Sequence, residues 1–447
     1  MRNTSEKPVQ GWPDADTPAT QIADVLNAAH AVDLASWLEP LPRPLAAQRL
    51  AGLALAKRAD VFANLSLEAQ AELALHLSPA DLAALVTEMG ADDRTDLFKH
   101  LSPALQQRLL RDLAPSDGDD IRRLAAYAEG SAGAIMTSDC ATLSADMTTR
   151  QAIAALRLAA PRMETIDRSY VLDDRRHLIG TIRLHQLILA DENAVIGGFM
   201  DRAPISLTPD TDQEDAARMI ARYDSLALPV VDAEGRLLGI VTHDDATDAM
   251  QAETTEDFQK IATVLPFTQT MREASIGMLY SRRIVWLALL VFGNLFSGAG
   301  IAYFEETILT YVSLVFFLPL LIDSSGNAGS QSATLMVRAL ATGDVALKDW
   351  RDLILREVVV AAALGLTMAL VVWPVGALRG GPDIALVVAL TMVLVVMVGS
   401  LVGMSLPFLL SRLRLDPATA SGPLVTTISD AVGVLVYFSL ATLFLPL

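Results

Sequence analysis

The sequence is poor in the residues that build catalytic and metal centres in soluble enzymes. Its 447 residues include a single cysteine, Cys140, and six histidines. One cysteine excludes an intramolecular disulfide framework and a Cys/His zinc cluster. Neither an HExxH motif nor a phosphate-binding glycine loop of the P-loop type occurs. An enzyme is therefore the least favoured class of function.

The N-terminus lacks the apolar core of a signal peptide, so residues 1–25 are predicted to form a polar tail with no assigned function. Insertion into a membrane must then depend on the later apolar segments.

Positive charge is scarce in the first part of the chain. The net charge is −18, and residues 1–281 carry 25 basic and 42 acidic groups, a balance of −17. An acidic surface argues against binding of nucleic acid, which requires a basic face. It suits binding of cations, but it also serves solubility alone, and composition does not separate these two interpretations.

Five apolar segments are long enough to cross a lipid bilayer as helices. They are roughly Ile284–Phe304, Thr307–Leu340, Val358–Leu378, Ile384–Leu410 and Ser421–Leu447. Eight basic residues flank one side of these segments and only Arg379 flanks the other; the eight are Arg282, Arg283, Arg338, Lys348, Arg351, Arg356, Arg412 and Arg414. This bias predicts a multi-pass protein of the cytoplasmic (inner) membrane, with the N-terminal half in the cytoplasm and the C-terminus outside.

The fifth segment contains one charged residue, Asp430. A carboxylate near the bilayer centre costs roughly 2.5–3.5 kcal/mol on insertion scales, so such a residue usually faces an ion or a water-filled path. Asp430 therefore indicates a cation pathway.

The second segment is predicted to be interrupted, because Pro319 is followed by a run rich in Gly and Ser from Ser324 to Ser332. Within it Asp323, Asn327 and Gln331 recur every four residues and share one helical face. Two interpretations stay open, a pore lining and close helix packing through small residues.

The soluble half contains two internal repeats. Leu65, Leu77, Met89, Leu101 and Leu113 recur every twelve residues. Helix-start signals such as Ser-Pro accompany them, which predicts an all-α superhelical domain over residues 26–132.

A second repeat, with a period near 60 residues, matches Ile135-Met136-Thr137 to Phe199-Met200-Asp201. Its two copies, residues 133–197 and 198–252, read as strands and helices and resemble a tandem pair of α/β CBS domains, a module that often binds adenine nucleotides. The ribose-binding pattern of that module occurs only in the second copy, as Thr242-His-Asp-Asp245. ATP binding through Thr242 and Asp245 and a simple helix N-cap are equally open.

A connecting helix is predicted over residues 253–281, ahead of a five-helix transmembrane domain over residues 282–447. With these elements in place the chain resembles the MgtE family of magnesium channels. The most specific features are the run Gly326-Asn-Ala-Gly329-Ser-Gln331 and the intramembrane Asp430.

The resemblance implies a homodimer whose pore lies on the two-fold axis, lined by the second and fifth segments. Asp430 of both subunits would bind a largely hydrated Mg²⁺, with backbone groups near Thr426 contributing and Asn327 beside it. Mg²⁺ releases its water reluctantly and prefers oxygen ligands, which suits such a site.

The resemblance also implies negative feedback, in which cytosolic Mg²⁺ bridges acids on separate elements, compacts the soluble domains and closes the pore. The implied regulatory residues are Asp92, Asp96, Glu214, Asp224, Asp245, Asp248, Glu253, Glu256, Asp257 and Asp416.

The sequence departs from the family pattern at Asp323 and at Ser324-Ser325, where small or apolar residues are expected. The added acid could supplement the ion path, which keeps two alternatives open within transport: a broader divalent channel for Co²⁺, Mn²⁺ or Zn²⁺, and an ion-coupled carrier. An alternative from another class is a membrane-anchored nucleotide sensor. Asp430 argues against the sensor, because an anchor gains nothing from an acid in the membrane.

Overall fold

A computed structural model describes residues 26, 28–267, 274–420 and 422–446. These residues form two compact units that divide after Glu253. The predicted polar tail, part of the predicted connecting helix (268–273) and Ser421 lie outside the described residues.

The first unit begins with helices that start every twelve residues. They are α1 (Ala31–Leu38), α2 (Arg43–Ala51), α3 (Leu55–Ala63), α4 (Leu67–Ala74), α5 (Pro79–Glu88), α6 (Ala91–His100), α7 (Pro103–Asp112) and α8 (Pro115–Ala125). The hydroxyls of Ser66 and Ser78 cap α4 and α5 by accepting from backbone N–H groups in the first turn. From α1 to α8 each helix packs on the helix two places along, which confirms the superhelical domain.

The repeating apolar residue stands just before the N-cap; Leu65, Met89, Leu101 and Leu113 are buried, and Leu77 is half-buried. Leu53 holds the same place before α3 and is also buried. The repeat therefore begins earlier than Leu65.

The CBS pair follows as two α/β copies. The first contains β1 (Cys140–Ser144), α9 (Thr149–Ala159), β2 (Thr165–Leu172), β3 (Leu178–Arg183) and α10 (Leu184–Leu189). β2 pairs in parallel with β1 and antiparallel with β3. The second copy contains α11 (Gln213–Arg222), β4 (Ala227–Val231), antiparallel β5 (Leu237–Thr242) and α12 (His243–Ile261).

The first strand of the second copy is shorter than the repeat predicts. A single parallel bridge between Leu207 and Val230 takes its place. Pro204 and Pro209 flank this bridge, and because proline has no N–H to donate, the pairing cannot extend.

The segments matched between the two copies exchange places in the fold. Thr137, near the start of the first copy, bridges to Ile240 of β5 in the second copy, and Asp201, its counterpart, bridges to Thr181 of β3 in the first. Each copy therefore completes the edge of the other, so the two copies form one module.

The second unit consists of long apolar helices. They are α13 (Ile276–Tyr303), the short α14 (Glu305–Thr310), α15 (Ser313–Ala341), α16 (Trp350–Arg412) and α17 (Gly422–Phe444). Within the described residues, three helices are long and apolar enough to cross a membrane by length and composition: α13, α16 and α17. A shared core joins α15, the second half of α16 and α17 through residues such as Phe317, Val388 and Phe438.

α16 contains two of the predicted segments. Its 63 residues bend at Gly381, whose φ of 85° and ψ of 177° are not helical. Glycine adopts this conformation readily, and Pro382 then begins the second arm as a first-turn proline. The second, third and fourth predicted segments are therefore α15 and the two arms of α16, and with α13 and α17 they make the five-helix domain.

The predicted interruption of the second segment is wrong. α15 runs without a break from Ser313 to Ala341, with Pro319 inside it. Its glycines and serines are held helical because they pack against α16 and α17, which compensates for their poor helix propensity.

In the described part of residues 253–281, the structure differs from the predicted connecting helix. α12 ends at Ile261, residues 262–267 and 274–275 are not helical, and residues 276–281 already belong to α13. Among the described residues between the CBS pair and the first long helix, the helical ones are thus the C-terminal end of α12.

Candidate ion pathway and regulatory acids

α15 and α17 run antiparallel in close contact, and three contacts fix their register. A Cβ on Gly326 would lie 2.8 Å from Cγ2 of Thr426. Ser330 Oγ donates to the carbonyl of Gly422 at 3.3 Å. Towards the other end, Tyr437 Oη donates to the carbonyl of Leu314 at 3.0 Å. From one contact to the next, the residue number on α17 rises by nearly as much as the residue number on α15 falls. The register is therefore regular along both helices.

Asp323, Asn327 and Gln331 lie on one exposed face of α15, as their spacing predicts. Asn327 Nδ2 donates to Asp323 Oδ2 at 3.0 Å. Because the amide nitrogen is engaged, the Asn327 carbonyl oxygen is left to accept from other groups.

Asp430 lies on α17, one turn beyond Thr426. Its Oδ1 atom is buried and has no hydrogen-bond partner among the described residues. The Asp323 carboxylate is close enough to repel it electrostatically. A buried carboxylate oxygen without a donor is costly, and a cation would satisfy it.

Gly326 and Gly329 lie on the side of α15 that packs against α16 and α17. A Cβ on Gly329 would lie 2.7 Å from both the carbonyl of Gly399 and Cγ1 of Val425. Ser325 Oγ adds a hydrogen bond to the carbonyl of Val395 at 2.7 Å. The small residues of α15 therefore pack inward, as the helix-packing interpretation predicts. Asp323, Asn327 and Gln331 face outward, and the pore lining stays a prediction for that face.

Sequence reasoning missed Glu357, which lies near the start of α16. Its Oε1 accepts hydrogen bonds from Ser332 of α15, at 3.0 Å, and from Ser400 of the second arm. The sequence carries a signal for it, since Glu357 directly precedes the apolar run that begins at Val358. This carboxylate ties three helix segments together.

Among the predicted regulatory acids, Asp92 and Asp245 come together from different domains. Asp92 begins α6, and one of its oxygens is buried with no hydrogen-bond partner among the described residues. Burial raises the pKa of Asp245 to about 8, and the charge of Asp92 adds to the effect. Burial likewise raises the pKa of Asp92, and the charge of Asp96 contributes. Glu164, which sequence reasoning also missed, adds a further negative charge near Asp245.

The other predicted acids in the first unit are more dispersed. Burial raises the pKa of Asp96, although Lys99 Nζ lies 3.4 Å away and opposes the shift. Glu214 pairs with Arg218 at 2.7 Å, and Glu253 accepts from Gln213 Nε2 at 2.6 Å. Asp224 follows α11 with a left-handed φ of 46°, and Asp248 lies on α12.

In the second unit a lysine joins two of the predicted acids. Lys260 Nζ contacts Glu256 Oε1 at 2.6 Å and also contacts Asp416 Oδ2. Asp257 lies beside them on α12. Lys260 thus supplies a positive charge between Glu256 and Asp416.

Across the part of the chain that the structure describes, no group of three or more His, Cys, Asp or Glu side chains has the geometry to hold a metal ion. Among the predicted acids, Asp92 lies close to Asp245, and Lys260 bridges Glu256 and Asp416.

The CBS pair contains a cleft of about 300 Å³. Its lining includes two arginines and one aspartate, and consists of Arg168, Thr181, Arg183, His185, Gln186, Asp201, Ala203, Ile205, Tyr223, Ser225 and Leu228. The predicted nucleotide residues lie elsewhere: Thr242 Oγ1 donates to Asp245 Oδ2 at 2.5 Å and caps α12.

Comparisons with known proteins agree with this architecture. Residues 318–440 match a family of divalent cation transporters, MgtE. Residues 29–130 match the MgtE intracellular N domain, and residues 132–193 and 196–252 match CBS domains. A magnesium transporter MgtE from Thermus thermophilus is 39% identical over 435 residues, covering 97% of this chain and 96% of the relative. The chain belongs to the MgtE family.

A second MgtE relative and a solved MgtE domain also match large parts of the chain. A magnesium transporter MgtE from Bacillus subtilis is 32% identical over 96% of this chain and 95% of the relative. Among solved structures, the cytosolic domain of a Mg²⁺ channel MgtE in complex with ATP is 37% identical, with a TM-score of 0.50, and covers 52% of this chain and 94% of that one. As a member of the MgtE family the chain is a membrane transporter and not an enzyme.

Proposed function

We propose that this chain forms a Mg²⁺-selective channel that takes up Mg²⁺ across the cytoplasmic membrane and closes when cytosolic Mg²⁺ is high. The observation that carries the proposal is Asp430, whose buried carboxylate oxygen has no partner among the described residues. The identity of the ion is inferred from its MgtE relatives, which are magnesium transporters.

The ion path would follow the exposed face of α15 and the facing side of α17. Asp430 would contact the water shell of Mg²⁺, while Asn327, Gln331 and the backbone near Thr426 would offer neutral oxygen atoms. Gly326 and Gly329 would contribute by allowing α15 to approach α16 and α17 closely. Mg²⁺ keeps several waters when bound, so few direct protein ligands are required.

A homodimer would complete this path. The polar face of α15 is exposed in a single chain, and α13 exposes large apolar side chains such as Leu287, Phe292 and Phe296. In a membrane, lipid or a second subunit would cover these surfaces. A two-fold axis beside α15 would bring two Asp430 carboxylates towards one ion. The excess of basic residues on one side supports a cytoplasmic N-terminal half and an external C-terminus.

Closure would follow from Mg²⁺ binding between acids that repel one another. Asp92 and Asp245 are the best supported pair, because both are buried and burial raises both pKa values. Around them, Asp96, Glu214, Asp224, Asp248 and Glu253 would take part in the same response. In the second unit Mg²⁺ at Glu256, Asp257 and Asp416 would compete with Lys260 for the same carboxylates.

Nucleotide binding is a second role that the CBS cleft supports. Arg168 and Arg183 line it and could neutralise phosphate groups, and the cytosolic domain of an MgtE relative was solved with ATP. Binding of ATP to the wild type, and its loss in Arg183→Ala, would support this role. Equal binding to both proteins would place ATP outside the cleft.

The experiment that tests the proposal is ion uptake by proteoliposomes containing the purified full-length chain. Influx of Mg²⁺, compared with Co²⁺, Mn²⁺ and Zn²⁺, tests selectivity, and imposed proton or sodium gradients test coupling. We expect Mg²⁺ influx that is independent of both gradients. A dependence on either gradient would favour an ion-coupled carrier, and no influx of any cation would favour a membrane-anchored nucleotide sensor.

A further inference from the structure

We propose that Asp323 is a second carboxylate at the level of Asp430 and determines how strongly this part of the path prefers a divalent over a monovalent cation. The inference rests on the proposed ion path and assigns a specificity-determining residue to it.

The register of α15 and α17 brings the two acids to one level. Gly326 meets Thr426 and Ser330 meets Gly422, so each step of four residues along α15 is matched by four in reverse along α17. Asp430 lies one turn beyond Thr426 on α17. Counting one turn back from Gly326 on α15, the residue opposite Asp430 is therefore Ile322, next to Asp323. The contact of Leu314 with Tyr437 keeps the same register two further turns away.

The environment of the two carboxylates agrees with this placement. Asp323 is exposed on the α15 face that carries Asn327. Asp430 Oδ1 is buried and lacks a hydrogen-bond partner among the described residues, and the Asp323 charge acts on it. Two like charges at one level repel each other, and a cation relieves that repulsion.

The charge of the ion decides the effect on selectivity. The Coulomb energy between an ion and a carboxylate is proportional to the charge of the ion, so an added carboxylate favours Mg²⁺ over Na⁺. A dimer would present four carboxylates at this level where Asp430 alone would present two. Loss of Asp323 is therefore expected to weaken Mg²⁺ binding more than Na⁺ binding.

Asp323 has a second contact that must be separated from this role. It accepts the hydrogen bond from Asn327 Nδ2 and so fixes the orientation of the Asn327 amide. If this were its whole contribution, removing Asn327 would reproduce the effect of removing the Asp323 charge.

The test measures the Mg²⁺ concentration that halves Na⁺ influx into proteoliposomes containing the full-length chain, together with the half-saturating concentration for Mg²⁺ influx. In Asp323→Asn both concentrations are expected to rise about tenfold, which corresponds to about 1.4 kcal/mol of lost binding free energy. Asp323→Glu should stay near the wild type, since it keeps the charge. Ser324→Ala is the matched control, because Ser324 Oγ only donates to its own helix at Leu320.

Unchanged Mg²⁺ block of Na⁺ influx in Asp323→Asn would overturn the inference. It would also be overturned if Asn327→Ala shifted both concentrations as much and the double variant shifted them no further. A wild type that shows neither Mg²⁺ influx nor Mg²⁺ block would instead contradict the proposed function. If the wild type conducted Mg²⁺ and only Asp430→Ala lost influx, the proposed path would stand and Asp323 would not belong to it.

Discussion

At the scale of single residues, the account depends on carboxylates that lack the partners a buried charge needs. Asp430, Asp92 and Asp245 all lie where a negative charge is disfavoured, in a membrane helix or in the interior of the soluble unit. In each case a cation would supply the missing stabilisation. The sequence indicated Asp430, and the family resemblance implied Asp92 and Asp245. Neither indicated that Asp92 and Asp245 would be neighbours, because residues about 150 positions apart meet only through tertiary packing.

The burial of Asp245 predicts a pH dependence of stability. Its pKa is about 8 in the folded state and 3.8 ordinarily, so its contribution to stability is lost as the pH rises from about 4 to about 8. Without Mg²⁺, the melting temperature of the soluble unit should therefore fall between pH 5 and pH 8, and Asp245→Asn should flatten the fall. One pKa unit is about 1.4 kcal/mol, or roughly 3–6 °C for a unit of about 200 residues.

The matched control for this prediction is Asp174→Asn, which removes an exposed carboxylate of the same unit that does not act on Asp245. Melting curves at several pH values decide the matter. A slope as steep in Asp245→Asn as in the wild type would mean that Asp245 is not the group that titrates.

At the scale of elements, the membrane unit depends on the close approach of α15 to its neighbours. Gly329 faces the backbone at Gly399, and a Cβ on Gly403 would overlap the carbonyl of Gly329. Small residues at helix contacts allow this approach, and a larger side chain forces the helices apart.

We expect Gly329→Ala to destabilise the membrane unit by about 1–3 kcal/mol, the usual cost of overpacking. Gly298→Ala is the control, because nothing lies within 4 Å of a Cβ at Gly298 in the structure. Thermal stability in detergent, followed by size-exclusion chromatography, should fall for the first variant and not for the second. Equal melting temperatures for both would contradict the packing of α15 described here.

Elements were predictable to different degrees. The twelve-residue repeat was visible from Leu65 because a serine follows Leu65, Leu77 and Leu101. By contrast, α2 and α3 begin after Pro42 and Ala54, which carry no such signal. The continuity of α15 was not predictable, since Pro319 and the Gly/Ser run favour a break and only contacts with α16 and α17 override them.

At the scale of the whole molecule, the account requires that cytosolic Mg²⁺ acts on the pore through the soluble acids. Neutralising both Glu256 and Asp257, as Glu256→Gln with Asp257→Asn, should leave the channel open at a cytosolic Mg²⁺ concentration that closes the wild type. The reason is that the closed channel would then bind Mg²⁺ with two fewer carboxylates, so a given Mg²⁺ concentration would favour the closed state less.

This prediction is checked by recording Mg²⁺ currents from membrane patches while the cytosolic Mg²⁺ concentration is raised. Asp352→Asn, which removes an exposed acid at the start of α16, is the control. If the double variant closed at the same concentration as the wild type, Glu256 and Asp257 would be ordinary surface charges.

The central claim is that Mg²⁺ passes Asp430, and the most direct measurement is Mg²⁺ influx into proteoliposomes containing the wild type or Asp430→Ala. Asp383→Ala, which removes an exposed acid beside the Gly381 bend of α16, is the matched control. We predict rapid influx in the wild type and the control, and loss of influx in Asp430→Ala with no change in its elution on size-exclusion chromatography. Influx through Asp430→Ala at the rate of the wild type would contradict the account.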